Sequence, residues 1–308
     1  MKAKALQFGK ALGAAWFVLL LVVAGTKNAL AQTQVATLQH GEDISVFYGS
    51  NALYQAHNAA EHGDVITLSS GSFALTSITK AVTIRGAGCE SDTIAGFSPT
   101  LIASGVIANI QNDIDTAYLT IEGVKFTNSF RSQKLSGPHF IKCYFNEFRV
   151  HENNDIMSSA QFVNCRFKYL NITNATNTSL INCVLWQYQG GSAVAYNSYI
   201  KVSSYGVTLS AFNCIVDTNS SSSANLGQYS TAINCIGLRG ALGYSYKENC
   251  WYYSALADVF DTFSGNNIDY ALEPLFLKEE IANTCLGIDG TQVGIHGGFM
   301  PYSNRPSY

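Results

Sequence analysis

The residues with the most chemistry to offer in this chain are its eight cysteines. Six of them, Cys143, Cys165, Cys183, Cys214, Cys235 and Cys250, stand in one recurring phrase that is usually Asn-Cys, while Cys89 and Cys285 lie outside it. Thiols can pair, ligate metal or fill a core. Zinc sites are normally announced by close pairs such as Cys-x-x-Cys, a spacing absent here, so neither a metal nor any other cofactor is expected. Carboxylates offer less. Asp113 and Asp115 could share a strand face, but two acids in a polar loop are ordinarily just solvated, and no catalytic residue is assigned. Basic residues are the third source. Positions 125–168 hold Lys125, Arg131, Lys134, Lys142, Arg149, Arg166 and Lys168, opposed only by Glu147, Glu152 and Asp155. Side chains of this kind can hold an anionic polymer, or act as a base beside a uronate carboxylate. Trp186, Tyr188, Tyr196, Tyr199, Tyr229, Tyr246 and Tyr252 add flat rings further on, suited either to stacking on sugars or to half-buried packing.

What positions these groups is the phrase itself. With Val124 and the six cysteines as markers, successive spacings are 19, 22, 18, 31, 21 and 15 residues, an irregular period near 20 that signals a solenoid. The residue before each marker is Gly123, Lys142, Asn164, Asn182, Asn213, Asn234 or Asn249, mostly types that tolerate left-handed backbone, so a corner is expected there. After it, marker and marker+2 are mostly apolar and the residue between varies, which is strand alternation. Corner, short strand and loop, repeated, make a parallel β-helix. At about 4.8 Å per coil, some eight to ten coils give a rod of roughly 40–50 Å. The six cysteines then become an inward ladder of free thiols. In-register neighbours about 4.8 Å apart exceed the roughly 3.8 Å Cβ separation of a disulfide. Outside the barrel, Lys125, Tyr144 and Arg166 fall in one outward column, with Asn146, Lys168 and Trp186 in the next.

Residues 1–31 read as a secretory signal peptide. Lys2, Lys4 and Lys10 precede an apolar run from Ala11 to Gly25, and Ala29-Leu30-Ala31 offers a cleavage site. The expected destination is the periplasm, the cell surface or the medium, with no membrane span in the mature chain. Removing Lys2, Lys4, Lys10 and Lys27 takes the formal charge from −3 to −7, which disfavours nucleic acid as a partner. Residues 32–64 are expected to cap the first coil with a helix N-capped by Ser50 and ended before Gly63. Coils fill 65–270 and a closing segment fills 271–308.

Two stretches carry a resemblance. "GDVITLSSGSF" from Gly63 with "KAVTIRGAG" from Lys80 resembles the opening coils of secreted bacterial right-handed β-helix proteins, the pectin-lyase-like group. "EPLF" at Glu273–Phe276 and "GTQVGIHGGFMPY" at Gly290–Tyr302 resemble the closing segment of a Bacteroidetes subset with a GIxGG ending and no assigned activity. The resemblance implies an all-β fold, a single-stranded right-handed parallel β-helix with a helical N-terminal cap. It raises glycans as ligands without fixing any chemistry. Three roles follow as expectations: a non-catalytic exported protein that binds glycan or another surface component; a polysaccharide lyase acting on an acidic glycan; or a structural or adhesive rod. Lys125, Tyr144, Arg166, Lys168 and Trp186 are the candidate glycan contacts.

Overall fold

In a computed structural model of the chain, the corner residues Gly123, Lys142, Asn164, Asn182, Asn213, Asn234 and Asn249 all have φ between 49° and 66°. A side chain with a Cβ meets the next carbonyl in that region, and Asn tolerates it better than most. Each corner turns the chain from a strand of one sheet into a strand of the other: His139–Ile141, Lys142, then Tyr144–Arg149. The described residues are 34–90, 98–110, 118–204, 207–218, 225–243, 245–261, 275–299 and 301, all in one compact unit beginning at Gln34. The expected signal peptide, Asp113, Asp115, Glu273, Pro274, Met300 and Tyr302 lie outside them.

Two sheets of 12 and 15 strands stack coil upon coil. Every named pairing is parallel except those of an N-terminal hairpin, β1 (Val35–His40) and β2 (Asp43–Tyr48), whose first strand runs antiparallel to β3 (Val65–Leu68). Setting the two hairpin strands aside leaves ten parallel strands in the 12-stranded sheet. This is a parallel β-helix. The core is an aromatic stack in register: Phe126, Phe145 and Phe167 lie face to face with centroids 4.9 and 5.2 Å apart, and Phe140 on Phe162 at 4.9 Å.

One coil escapes the cysteine count. Tyr199 pairs with Val184 on one side and Ile215 on the other, so Ser198 stands where the thiols stand, after a corner at Asn197 with φ 47°. The 31-residue spacing is thus two coils, 15 residues from Cys183 to Ser198 and 16 on to Cys214.

At the N-terminal end, helix α1 (Ala52–Ala59) buries Leu53, Ala56 and His57 against the first coil. Its N-cap is Asn51, not Ser50, and makes no side-chain cap bond. The Ser50 carbonyl instead accepts from Ala74 N at 2.8 Å, tying the cap to the coil below. The other end is closed by Lys80, whose Nζ donates to the carbonyls of His57, Asn58 and Ala60 at 3.0, 2.7 and 2.6 Å. A cation there also suits the negative end of the helix dipole. The cap therefore contains a hairpin beside the helix, which leaves β2 as the outermost strand of its sheet.

Candidate functional site

The second sheet bends. Inward residues three apart, Phe145 and Phe148, Phe167 and Leu170, Leu185 and Tyr188, each enclose two consecutive positions that lie outside the main core cluster. A strict pleat permits only one outward residue between two inward ones, so each pair marks a kink in its strand. Stacked over three coils, the kinks form an open cleft of about 570 Å³. Its lining is Asn146, Glu147, Arg149 and His151 from one coil, Lys168, Tyr169 and Asn171 from the next, and Gln187 and Gln189 from the third.

Polar contacts hold this lining in place. Arg149 is paired with Glu147. Tyr169 donates its hydroxyl hydrogen to Gln189 Oε1 and accepts from Asn171 Nδ2 at 3.4 Å. Asn171 is in turn fixed through Oδ1 by Thr173 Oγ1 at 2.6 Å and Thr173 N at 3.2 Å. His151 Nδ1 and Arg149 Nε are buried without a hydrogen-bond partner. Lys168 is exposed. The cleft thus offers carboxamides, a phenol, an imidazole and two cations against one carboxylate. Such a set can hydrogen-bond hydroxyls and neutralise an anion. Among its lining there is no pair of acids, and no described cluster of His, Cys, Asp and Glu could hold a metal.

Of the five candidate glycan contacts, the structure brings only Lys168 to this cleft, where it joins Asn146, Glu147 and Arg149 of the same basic and outward-facing stretch. Lys125, Tyr144 and Arg166 do form one column in register. Lys125 Nζ lies 4.9 Å from the centroid of the half-buried Tyr144 ring, and burial raises the phenol pKa above its ordinary value. Arg166, however, is only 5% exposed and is paired with Glu90, brought over it from the segment after Cys89. Trp186 is 2% exposed. It packs on Tyr199 at 5.5 Å within a second apolar cluster that includes Leu256, Phe260, Leu277, Ile281 and Ile295. The continuous outward strip expected from the sequence is therefore interrupted. Glu90 covers its middle, and the C-terminal segment covers its upper end. Among the ringed residues, Tyr188 and Tyr199 are buried, whereas Tyr229, Tyr246 and Tyr252 are exposed.

The six cysteines of the repeat each follow a corner, five of them within the main core cluster and Cys250 packed against it. All eight are free; Cys143, Cys165, Cys183, Cys214 and Cys235 are buried and Cys250 half-buried. Each thiol of the ladder lies within donating reach of two carbonyls, one a coil earlier (Ile121, Phe140, Phe162, Ala195, Ala211 or Ala232, 3.3–3.5 Å) and one two residues back in its own coil (3.2–3.5 Å). Burial pushes the Cys183 thiol up to about 12 and Cys165 upward as well, so these are poor nucleophiles.

Comparison of the chain with protein-family models, curated proteins and solved structures gave no match.

Proposed function

We propose that this chain is an exported, non-catalytic β-helix protein that binds an acidic glycan, or another anionic surface component, in the three-coil cleft. The observation that carries this reading is the cleft itself. It is an open trough of about 570 Å³ whose lining is mostly carboxamide and cationic, on a chain of net negative charge. Three coils span roughly 10 Å, the length of about two sugar residues. The open mouth suits a polymer that extends beyond the site. Resemblance of the opening and closing motifs to secreted bacterial β-helix proteins supports export and the glycan class, and no described helix is long and apolar enough to cross a membrane. A second reading, a polysaccharide lyase of the same ligand class, is favoured by the convergence of Lys168, Tyr169 and His151 in one trough. The test is retention on immobilised uronate polysaccharides with simultaneous ultraviolet detection of unsaturated products. Retention without products supports the binder. Products support the lyase, and neither result leaves a structural rod.

A further inference from the structure

The outward face of the 12-stranded sheet carries a feature that the cleft does not use. Register places Arg85, Glu122, Ile141, Val163, Ile181, Tyr196, Phe212, Ile233 and Glu248 in one column of that face. Six consecutive members, from Ile141 to Ile233, are apolar and partly exposed, with Tyr196 at 41% and its ring stacked on Phe212 at 5.2 Å. The neighbouring outward column over the same coils is His139, Gln161, Ser179, Val194, Ser210 and Thr231. Apart from His139, these two columns carry no ionisable group but the Tyr196 phenol over six coils, on a protein whose other sheet bears Lys125, Arg131, Glu147, Arg149 and Lys168 on its outer side. Exposed Ile288 and Phe299 extend the apolar character sideways. Ile288 N bonds to Asn213 Oδ1 at 3.2 Å, and Phe299 follows Gly298, which lies against Asn197. Contiguous apolar surface of this kind marks an interaction site.

We infer that a second copy of this chain packs on this face, antiparallel, about a two-fold axis parallel to the strands. Charge selects that arrangement. The axis passes through Ile181, so that Ile181 meets itself, Val163 meets Tyr196, and Ile141 meets Phe212. Arg85 of each copy then meets Glu248 of the other. Glu122 falls opposite Ile233 but keeps its own Arg85 at 3.9 Å. With the coil axes parallel instead, the two columns exchange, Arg85 faces Thr83 and Glu248 faces Tyr246, and the opposite charges at the two ends of the column go unmatched. The area is sufficient. Eight coil spacings of about 4.8 Å by two columns about 14 Å across give a footprint of roughly 500 Å² per copy. Both copies together bury about 1,000 Å², the lower bound for a specific interface.

The experiment is the solution mass of the full chain by sedimentation equilibrium. The wild type is expected at twice the chain mass, and Ile181→Lys, which sets two ammonium groups against each other on the axis, at the monomer mass with an unchanged circular dichroism spectrum. Arg85→Glu and Glu248→Arg are each expected to weaken the dimer about tenfold, and the double swap to restore it. Both positions lie outside the apolar ridge on exposed ends of the column, so the swap reads the interface even where Ile181→Lys unfolds. Lys168→Ala, in the cleft, is expected to leave the mass unchanged. A wild type that stays monomeric at its highest soluble concentration overturns the inference. A dimer indifferent to Ile181→Lys, or a swap that fails to restore association, overturns it equally.

Discussion

Two corner asparagines with the same backbone conformation are expected to respond very differently to glycine. Asn164 (φ 54°) and Asn182 (φ 50°) both occupy the left-handed region. Asn164 Oδ1 is buried without a partner, so its side chain contributes little beyond tolerance of the corner. Asn182, 1% exposed, donates through Nδ2 to the carbonyls of Ile295 and Gly297 at 2.9 and 3.0 Å, clasping the C-terminal segment onto the coil. Glycine adopts the corner without Cβ strain, so Asn164→Gly is expected to change stability by less than about 0.5 kcal/mol. Alanine at the same place meets the left-handed penalty of about 1–2 kcal/mol. Asn182→Gly keeps the corner but loses two buried hydrogen bonds, about 2 kcal/mol at about 1 kcal/mol each. A stacked solenoid need not unfold in one step, so a global midpoint can hide a local loss. Hydrogen exchange is the better assay. Amides of the closing segment, such as Val293 N bonded to Cys285 O and Gly294 N bonded to Asn213 O, should exchange roughly 30-fold faster in Asn182→Gly and unchanged in Asn164→Gly. Equal behaviour of the two glycine variants would refute the clasp.

Trp186→Ala should destabilise by about 3–5 kcal/mol through the cavity left under the closing segment, measured by urea unfolding; a neutral result would show that the ring is not packed as described. Thiol labelling at neutral pH should modify half-buried Cys250 first and spare fully buried Cys165 and Cys183 until denaturant is added, because reagent can reach only the first; the neighbouring Cys235 thiol also holds the Cys250 pKa upward, so even its labelling should be slow. Rapid native labelling of Cys183 contradicts that. His57 has its pKa lowered to about 4 by burial and by Lys80, and Nε2 accepts from Thr79 N at 3.3 Å. Its folded value lies below the unfolded one, so the stability it contributes is complete above about 6.5 and is lost as pH falls towards about 4. His57→Gln should flatten unfolding midpoints across that window, and an unchanged slope counts against the assignment.

The repeat was legible because a corner and the residue after it impose local demands. Left-handed backbone wants Gly or Asn, and the next side chain must be small and buried. Ser198 hid its coil because a hydroxyl meets the second demand by hydrogen bonding, accepting from Cys183 N at 3.0 Å and donating to Tyr196 O at 2.8 Å. The corner still announced itself in Asn197, at a spacing that the cysteine count skipped. The cleft had a signal too: Phe145 and Phe148, Phe167 and Leu170, Leu185 and Tyr188 break strand alternation at the same point of three coils. A flat outward face has no such kink, so His151, Tyr169, Asn171, Gln187 and Gln189 went unassigned, and Arg149 stood out only as one of the basic residues between 125 and 168. The burial of Arg166 and Trp186 was not locally encoded. Their covers come from Glu90, 76 positions away, and from residues such as Ile295, more than a hundred positions on. Nothing in the flanking sequence distinguishes an outward Trp that is wet from one that is covered. The β1–β2 hairpin is similarly written as ordinary alternation and differs from a coil only in which strand it pairs with.

The central claim, an anion-binding and non-catalytic cleft, is tested most directly by titrating a uronate oligosaccharide into the wild type and into Lys168→Ala at low and high salt. Lys168 is exposed and Arg149 about half-exposed, so removing the former should weaken binding about 5- to 10-fold at low salt without unfolding the protein. High salt should shrink that difference, and no unsaturated product should accumulate in either protein. Equal, salt-insensitive affinities would contradict the assignment of the cleft, and wild-type product formation abolished by Lys168→Ala would contradict the absence of catalysis.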